Sequence, residues 1–97
     1  MNNIKIAVDI DGCLIYAEGM TGTPDTPRYD VIMLIAWLAE IFNCEVYIWS
    51  GGGIDYATRW RDKLGLDFAQ VITKGSIQPD IAIDDEEVTL GKVNLKV

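Results

Sequence analysis

The chain has 97 residues, of which 49% are hydrophobic, and this length supports one small domain covering residues 1–97 rather than two. Its formal net charge of −7 disfavours general binding to a nucleic-acid backbone. It contains no histidine, which excludes a Ser-His-Asp triad, a histidine base and a histidine metal ligand.

The composition favours a cytoplasmic protein that does not bind membranes. No apolar run reaches the roughly 20 residues that span a bilayer, and residues 1–5 lack the layout of a signal peptide. Cys13 and Cys44 form neither a zinc motif nor a redox pair by spacing, so we expect two reduced and mostly buried thiols. Without histidine, any bound metal should be a hard cation held by oxygen ligands.

The first half of the chain predicts a strand, a loop and a helix. Residues 4–8 form a short apolar run that ends at polar and glycine residues, which is typical of a buried strand. Residues 16–27 are rich in glycine, proline, threonine and aspartate and predict a loop. Asp30 is the predicted N-cap of a helix that ends near Asn43. The apolar face of this helix is formed by Val31, Leu34, Ile35, Leu38, Ile41 and Phe42.

A second strand and a second helix follow. Residues 46–49 form another β-type run, closed by Ser50 and the glycines at 51–53. Residues 54–64 have helical periodicity, and Gly65 is well placed as the C-terminal stop of that helix.

The last part of the chain predicts short strands. Residues 68–72 form a third strand, and residues 81–83 form a fourth that ends at two aspartates, 84 and 85. The tail, residues 88–97, alternates loosely between apolar and polar residues. It predicts either one more strand or a hairpin about Gly91.

Alternating strands and helices predict an α/β fold, a three-layer Rossmann-like arrangement around a parallel sheet. In such sheets ligands bind beyond the carboxyl ends of the strands. Three predicted strand ends carry polar or reactive side chains, namely Asp9 with Asp11, Ser50, and Asp84 with Asp85. The functional groups therefore fall where this fold class places a site.

These residue types suit phosphoryl transfer. A carboxylate such as Asp9 can act as the nucleophile and form an aspartyl-phosphate, while Asp11 can protonate the leaving oxygen and later activate water. Ser50 and the amides of Gly51 and Gly52 can donate hydrogen bonds to phosphate oxygens, and Lys74 can supply a fixed positive charge. The aspartates at 84 and 85 can complete a Mg²⁺ site, which an acidic cavity needs in order to accept an anionic substrate.

Four motifs resemble those of the haloacid dehalogenase (HAD) superfamily. Residues 9–14, Asp-Ile-Asp-Gly-Cys-Leu, resemble its first motif, and Ser50 after an apolar strand resembles the second. Lys74 resembles the third motif, and residues 83–85, Ile-Asp-Asp, resemble the fourth. The order of the four motifs along the chain and their placement after strands agree with the family pattern, and the resemblance spans residues 4–86.

The resemblance implies a Mg²⁺-dependent phosphatase with Asp9 as nucleophile and Asp11 as general acid and base. It implies that the metal is held by Asp9, the backbone carbonyl of Asp11 and Asp84, with Asp85 close by or acting through water. Ser50 and Lys74 would bind the phosphate.

The chain departs from the family pattern in ways that predict a minimal, capless HAD-like core. Less than twenty residues separate Asp11 from the first predicted helix, so only a flap fits there, and no insertion fits between residues 72 and 74. The helix expected between the third and fourth strands is missing or reduced to a turn in residues 75–79. An open site of this kind suits a bulky substrate or a neighbouring copy in a homo-oligomer that covers it.

The substrate class stays open among phosphorylated compounds. The acidic chain favours a small molecule, and an oligonucleotide end or a phosphoprotein is also compatible. Tyr16 and Tyr56 flank the predicted site and are candidates for substrate contact.

Two functions of other classes compete with a phosphatase. A phospho-acceptor domain of the response-regulator type uses similar residues, but it places its acceptor aspartate on a mid-chain strand, and here that strand ends in Ser50. A catalytically inactive HAD-like binding module is the other alternative, favoured by the lost helix and opposed by the intact set of site residues.

Overall fold

The computed structural model describes residues 3–97, which form five strands and two helices. In chain order these elements are β1 (Lys5–Val8), α1 (Tyr29–Ile41), β2 (Glu45–Ile48), α2 (Ile54–Leu64), β3 (Gln70–Val71), β4 (Ile81–Asp84) and β5 (Val93–Lys96). All strands are parallel and lie in the order β3-β2-β1-β4-β5. The predicted α/β class with a parallel, Rossmann-like sheet is confirmed.

The strand order brings the three polar strand ends together. β1 lies at the centre of the sheet, and its last residue, Val8, is in register with Ile48 of β2 and Ile83 of β4. Because parallel strands share one carboxyl edge, the residues that follow these three strands emerge side by side.

The two faces of the sheet are covered differently. Side chains alternate along a strand, so Ile6 and Val8 lie on one face of β1 and Ala7 lies on the other. Both helices pack on the first face, where the core contains Ile6, Val8, Ile10, Val46, Ile48, Ile83, Val31, Ile35 and Ala57. The second face is covered by loop residues, and its cluster contains Ala7, Trp49, Ala82, Ile72, Ile77 and Leu90. The three-layer prediction therefore holds in part, with loops in place of a second helical layer.

The chain between β3 and β4 explains the missing helical layer. It contains no helix, as the sequence predicts. Gly75 has φ +82°, and the N–H of Ser76 donates to the carbonyl of Thr73 at 3.0 Å. This closes a tight turn, and the buried Pro79 follows it. A left-handed residue and a proline in so short a segment prevent a continuous helix.

The helix boundaries agree with the sequence for α2 and differ for α1. α2 spans Ile54–Leu64, and Gly65 ends it in the left-handed conformation, at φ 72° and ψ 29°. The predicted N-cap of α1, Asp30, is wrong, because Arg28 occupies that position. The Asp30 carboxylate lies in the first turn and accepts from the Arg28 guanidinium at 3.1 Å and 3.2 Å, close to the positive end of the helix.

The tail forms an edge strand rather than a hairpin. β5 runs parallel to β4, with Ile81 paired to Val93 and Ile83 to Leu95, so the hairpin interpretation is wrong. Gly91 permits this arrangement, because a Cβ there would lie 2.8 Å from the backbone nitrogen of Ala82. Within residues 3–97, neither helix has the length and apolar character that crossing a bilayer requires.

Candidate active site

The residues predicted for the site line one open cleft at the carboxyl ends of β1, β2 and β4. This cleft has a volume of about 380 Å³. Its walls include every residue predicted to carry the chemistry, namely Asp9, Asp11, Ser50, Gly51, Gly52, Lys74, Asp84 and Asp85, and in addition Ala17 and Glu86. The two tyrosines predicted to contact substrate, Tyr16 and Tyr56, differ in their position relative to the cleft. Tyr56 bonds to Asp11, whereas the ring of Tyr16 packs against Gly22 and does not line the cleft.

Two buried carboxylates share one lysine at the base of the cleft. The Lys74 Nζ atom lies 3.4 Å from Asp9 Oδ1 and 3.2 Å from Asp84 Oδ2. The side chains of Asp9 and Asp84 are only 12% and 4% exposed. Buried charges are tolerated only with a charged or hydrogen-bonded partner, and Lys74 is that partner for both aspartates. Burial alone would lower the pKa of Lys74, but the two carboxylates outweigh it and the pKa is raised.

Among the carboxylates of the cleft, Asp9 has the most clearly shifted pKa. Burial raises its pKa to about 6, an effect that Lys74 opposes and Asp84 reinforces. Asp9 is therefore largely ionised at neutral pH even without a metal, as a nucleophile must be. Burial also raises the pKa of Asp85, and its hydrogen bond with Asp84 acts in the same direction.

A tight turn after β1 aims Asp9 and Asp11 into the cleft. The carbonyl of Ile10 accepts from the N–H groups of Cys13 at 3.1 Å and Leu14 at 2.9 Å, which closes the turn. Gly12 lies in this turn with φ +80°, and a Cβ at that position would overlap the carboxylate of Asp85. Glycine at position 12 thus permits the turn and the close approach of Asp85.

Asp11 stands apart from the buried carboxylates, at the mouth of the cleft. It is exposed, and its Oδ1 accepts a hydrogen bond of 2.8 Å from the hydroxyl of Tyr56 on α2. Burial raises the pKa of Tyr56, and the hydrogen bond to Asp11 reinforces the shift, so this hydroxyl stays protonated and donates. Tyr56 therefore holds one oxygen of Asp11 while the other stays free for a proton transfer.

Ser50 and its glycines form the wall next to β2. The Ser50 Oγ atom is buried and accepts from the Gly52 N–H at 3.0 Å. A hydroxyl that accepts from the backbone keeps its own proton to donate, and Ser50 lines the cleft. The segment leads directly into α2 at Ile54, so an anion at this wall also meets the positive end of that helix.

The donor atoms of the cluster suit a hard divalent cation. Ligand atoms of Asp9, Asp84, Asp85 and Cys13 all lie within 4.8 Å of one another. Burial and the nearby carboxylates strongly raise the pKa of the Cys13 thiol, so the thiol stays protonated and leaves an all-oxygen set. Mg²⁺ prefers a few carboxylate oxygens at about 2.0–2.1 Å completed by water. The Asp11 carboxylate is outside this group, and the expected role of its backbone carbonyl as a ligand stays a prediction.

Two contacts of the site were not anticipated from the sequence. Cys13 is buried as predicted, but its place within the acidic cluster was missed, although its spacing of four from Asp9 in a turn was a signal for it. Arg28 donates to the carbonyls of Gly12 at 2.6 Å and Val97 at 3.0 Å, which fixes the turn that carries Asp11. Nothing local in the sequence indicates that bond, because it joins residues distant along the chain.

The motifs that suggest a family resemblance are short, and the structure brings all of them to a single cleft. Comparisons of the chain with models of known families, with curated proteins and with solved structures find no match.

Proposed function

We propose that the chain is a minimal, capless, HAD-like phosphomonoesterase that requires Mg²⁺ and uses Asp9 as its nucleophile. The observation that supports this most is the pairing of Asp9 and Asp84 with the single ammonium of Lys74 at the base of an open cleft. A buried carboxylate that faces a cleft and stays ionised at neutral pH is suited to nucleophilic attack.

The first step transfers the phosphoryl group to the protein. An Asp9 carboxylate oxygen attacks phosphorus, the bond from phosphorus to the ester oxygen breaks, and Asp11 in its protonated form gives its proton to the departing alkoxide. The products are an alcohol and an aspartyl-phosphate on Asp9.

The second step returns the protein to its starting state. Asp11, now a carboxylate, removes a proton from a water molecule that attacks phosphorus. The bond from phosphorus to the Asp9 oxygen breaks, inorganic phosphate leaves, and Asp11 is again protonated. The hydrogen bond from Tyr56 keeps Asp11 oriented through both steps.

The phosphate oxygens need positive partners in a cavity rich in carboxylates. The Lys74 ammonium and the Ser50 hydroxyl supply two of them, and the Gly51 amide is the third that we propose. Mg²⁺, when bound by Asp9, Asp84 and Asp85, would offset the carboxylate charges and polarise the phosphate.

A small phosphomonoester is the substrate class that the surface favours. The flap between residues 15 and 27 is pinned at its base, where Ile15 bridges to Pro27 and the Tyr16 N–H donates to the Thr26 carbonyl at 3.0 Å. It leaves the cleft open, so size does not select the substrate. The net charge of −7 repels polyanions, which favours a small molecule over an oligonucleotide end or a phosphoprotein.

Phosphate release from 4-nitrophenyl phosphate, with Mg²⁺ or with a chelator, tests this proposal. We expect release only with Mg²⁺, and Asp84→Asn should raise the Mg²⁺ concentration needed for half activity at least about tenfold. Asp80→Asn is the matched control, because Asp80 bonds to Lys5 and Lys92 at the amino edge of the sheet and should leave the requirement unchanged.

The possible outcomes separate the competing functions. A folded protein that releases no phosphate at saturating Mg²⁺ contradicts the phosphatase. In that case a long-lived acyl-phosphate would favour a phospho-acceptor domain, and the absence of any acyl-phosphate would favour a binding module.

Removal of the Tyr56 hydroxyl should slow turnover without weakening substrate binding. Because Tyr56 positions Asp11 and does not itself touch the reacting atoms, we expect Tyr56→Phe to lower kcat roughly tenfold with little change in KM. Tyr47→Phe, on the loop-covered side of the sheet, is the control and should change neither constant. A selective rise in KM for Tyr56→Phe would instead assign Tyr56 to substrate binding.

A further inference from the structure

α1 is apolar on the side that faces solvent as well as on the side that faces the core. Tyr29, Met33, Trp37 and Ile41 are 65%, 68%, 53% and 62% exposed. They recur at every fourth position and therefore line one side of the helix, here called the α1 stripe. The core-facing side is separate and contains Val31 and Ile35.

The α1 stripe is extended at its C-terminal end by another aromatic ring. Phe42 is also exposed, and it contacts Trp37 edge to face at a ring distance of 4.8 Å and an interplanar angle of 81°. With aromatic side chains of roughly 150–250 Å² each, these five residues expose about 600 Å² of apolar surface. That is the upper end of what a monomeric protein exposes in one patch, and patches of this size often mark an interaction site.

We propose that the α1 stripe is the interface of a homodimer in which α1 packs against α1 of a second copy across a two-fold axis. The proposal is independent of the phosphatase assignment. An isologous interface uses the same patch on both copies, and about 600 Å² from each gives about 1,200 Å² in total, which reaches the range of specific interfaces.

The charges around the α1 stripe disfavour a lipid surface as the occupant. Helices that lie on membranes carry lysine and arginine beside their apolar face. α1 contains neither, its charged residues are Asp30 and Glu40, and the whole chain is acidic. Anionic lipid headgroups would repel this surface.

The edge of the sheet is a weaker candidate for self-association. β5 exposes Val93 and Leu95 along an unpaired edge of the sheet. Lys92 and Lys96 flank these residues, and lysines at an edge oppose pairing with a second sheet. The charged residues of α1, Asp30 and Glu40, are exposed and lie near the two ends of the helix, so no charged residue separates Met33 from Trp37 at its centre.

The proposed dimer leaves both clefts accessible. The cleft lies at the carboxyl edge of the sheet, whereas the α1 stripe runs along the outer side of a helix that covers one sheet face. The dimer therefore differs from the site-covering oligomer that the sequence led us to expect.

Sedimentation velocity over a concentration series tests the dimer. We expect wild type to pass from monomer to dimer with rising concentration, and Met33→Glu with Trp37→Glu to raise the midpoint at least about 100-fold. Added salt should favour the dimer, because it screens the acidic rim. Val93→Glu with Leu95→Glu is the control and should dimerise as wild type does.

A second measurement does not depend on charged variants. Trp37 is half exposed while Trp49 is fully buried, so fluorescence emission should shift to shorter wavelength as the dimer forms, and Trp37→Phe should remove this shift. A wild type that stays monomeric, an emission spectrum independent of concentration, or a dimer lost only in the β5 variant would overturn the proposal. Binding to lipid vesicles by a monomeric wild type would overturn it in favour of a membrane surface.

Discussion

Asp9→Asn is expected to lower Mg²⁺-dependent phosphate release at least about 10⁴-fold, because an amide cannot replace the carboxylate as nucleophile. The variant keeps the size and shape of the side chain, so the loss should come without unfolding. Phosphate release and circular dichroism, measured on the same samples, separate the two effects. Retention of more than a few per cent of wild-type turnover would remove Asp9 from the role of nucleophile.

The same variant should stabilise the metal-free protein at neutral pH. The pKa of Asp9 is about 6 in the folded protein against 3.8 in the reference state. Between these values the folded state binds more protons than the unfolded state, so the free energy of unfolding falls as the pH rises. An asparagine does not ionise and so does not lose stability in this way. The free energy of unfolding of Asp9→Asn should therefore exceed that of wild type by about 3 kcal/mol above pH 7 and by nothing below pH 4.

Asp80→Asn is the control for this pH dependence, because its expected effect has the opposite sign. The backbone hydrogen bond from Lys5 lowers the pKa of Asp80, so its ionised form contributes stability that is present near neutral pH and lost on acidification. Denaturant unfolding in the presence of a chelator measures both variants. An Asp9→Asn protein that is less stable than wild type at pH 8 would contradict the account of the buried carboxylate.

Lys74→Met is expected to damage stability and activity together. Without the ammonium, Asp9 and Asp84 face each other as buried carboxylates with no cationic partner. We expect the metal-free protein to lose about 3 kcal/mol of unfolding free energy at pH 8, and less at pH 5, where Asp9 is largely protonated. Turnover should fall about 10²–10³-fold, because a charge that stabilises the transferring phosphate is lost.

Lys92→Met is the matched control for that variant. Lys92 also pairs with an aspartate, at 3.4 Å from Asp80, but its side chain is largely exposed. Exposed ion pairs contribute little, so stability and turnover should stay near those of wild type. Equal losses in the two lysine variants would mean that Lys74 acts as an ordinary surface lysine.

The parts of the fold that were predicted correctly carry local signals. The bounds of α2 follow from its helical periodicity and from Gly65, whose left-handed conformation ends the helix. The parallel sheet follows from alternating short apolar runs and helices. The common cleft follows from polar residues that come directly after three of those strands, since parallel strands end at one edge.

The errors arose where distant parts of the chain decide the structure. Arg28 replaces Asp30 as N-cap while its guanidinium binds the carbonyls of Gly12 and Val97, which no local pattern reveals. β5 pairs parallel to β4 because Gly91 can approach the backbone of Ala82 closely, whereas the local pattern also allowed a hairpin. The contact between Tyr56 and Asp11 joins a helix to a strand end and was predicted only as proximity to the site.

If a phosphoryl group passes through Asp9 during turnover, chemical trapping should capture it on that residue. Protein turning over an aryl phosphate with Mg²⁺ would be quenched with borohydride, which reduces an aspartyl-phosphate to homoserine, and then digested for peptide mass spectrometry. We expect homoserine at position 9 in wild type and at no position in Asp9→Asn. Homoserine at Asp11, Asp84 or Asp85, or ongoing turnover with no reduced aspartate, would contradict it.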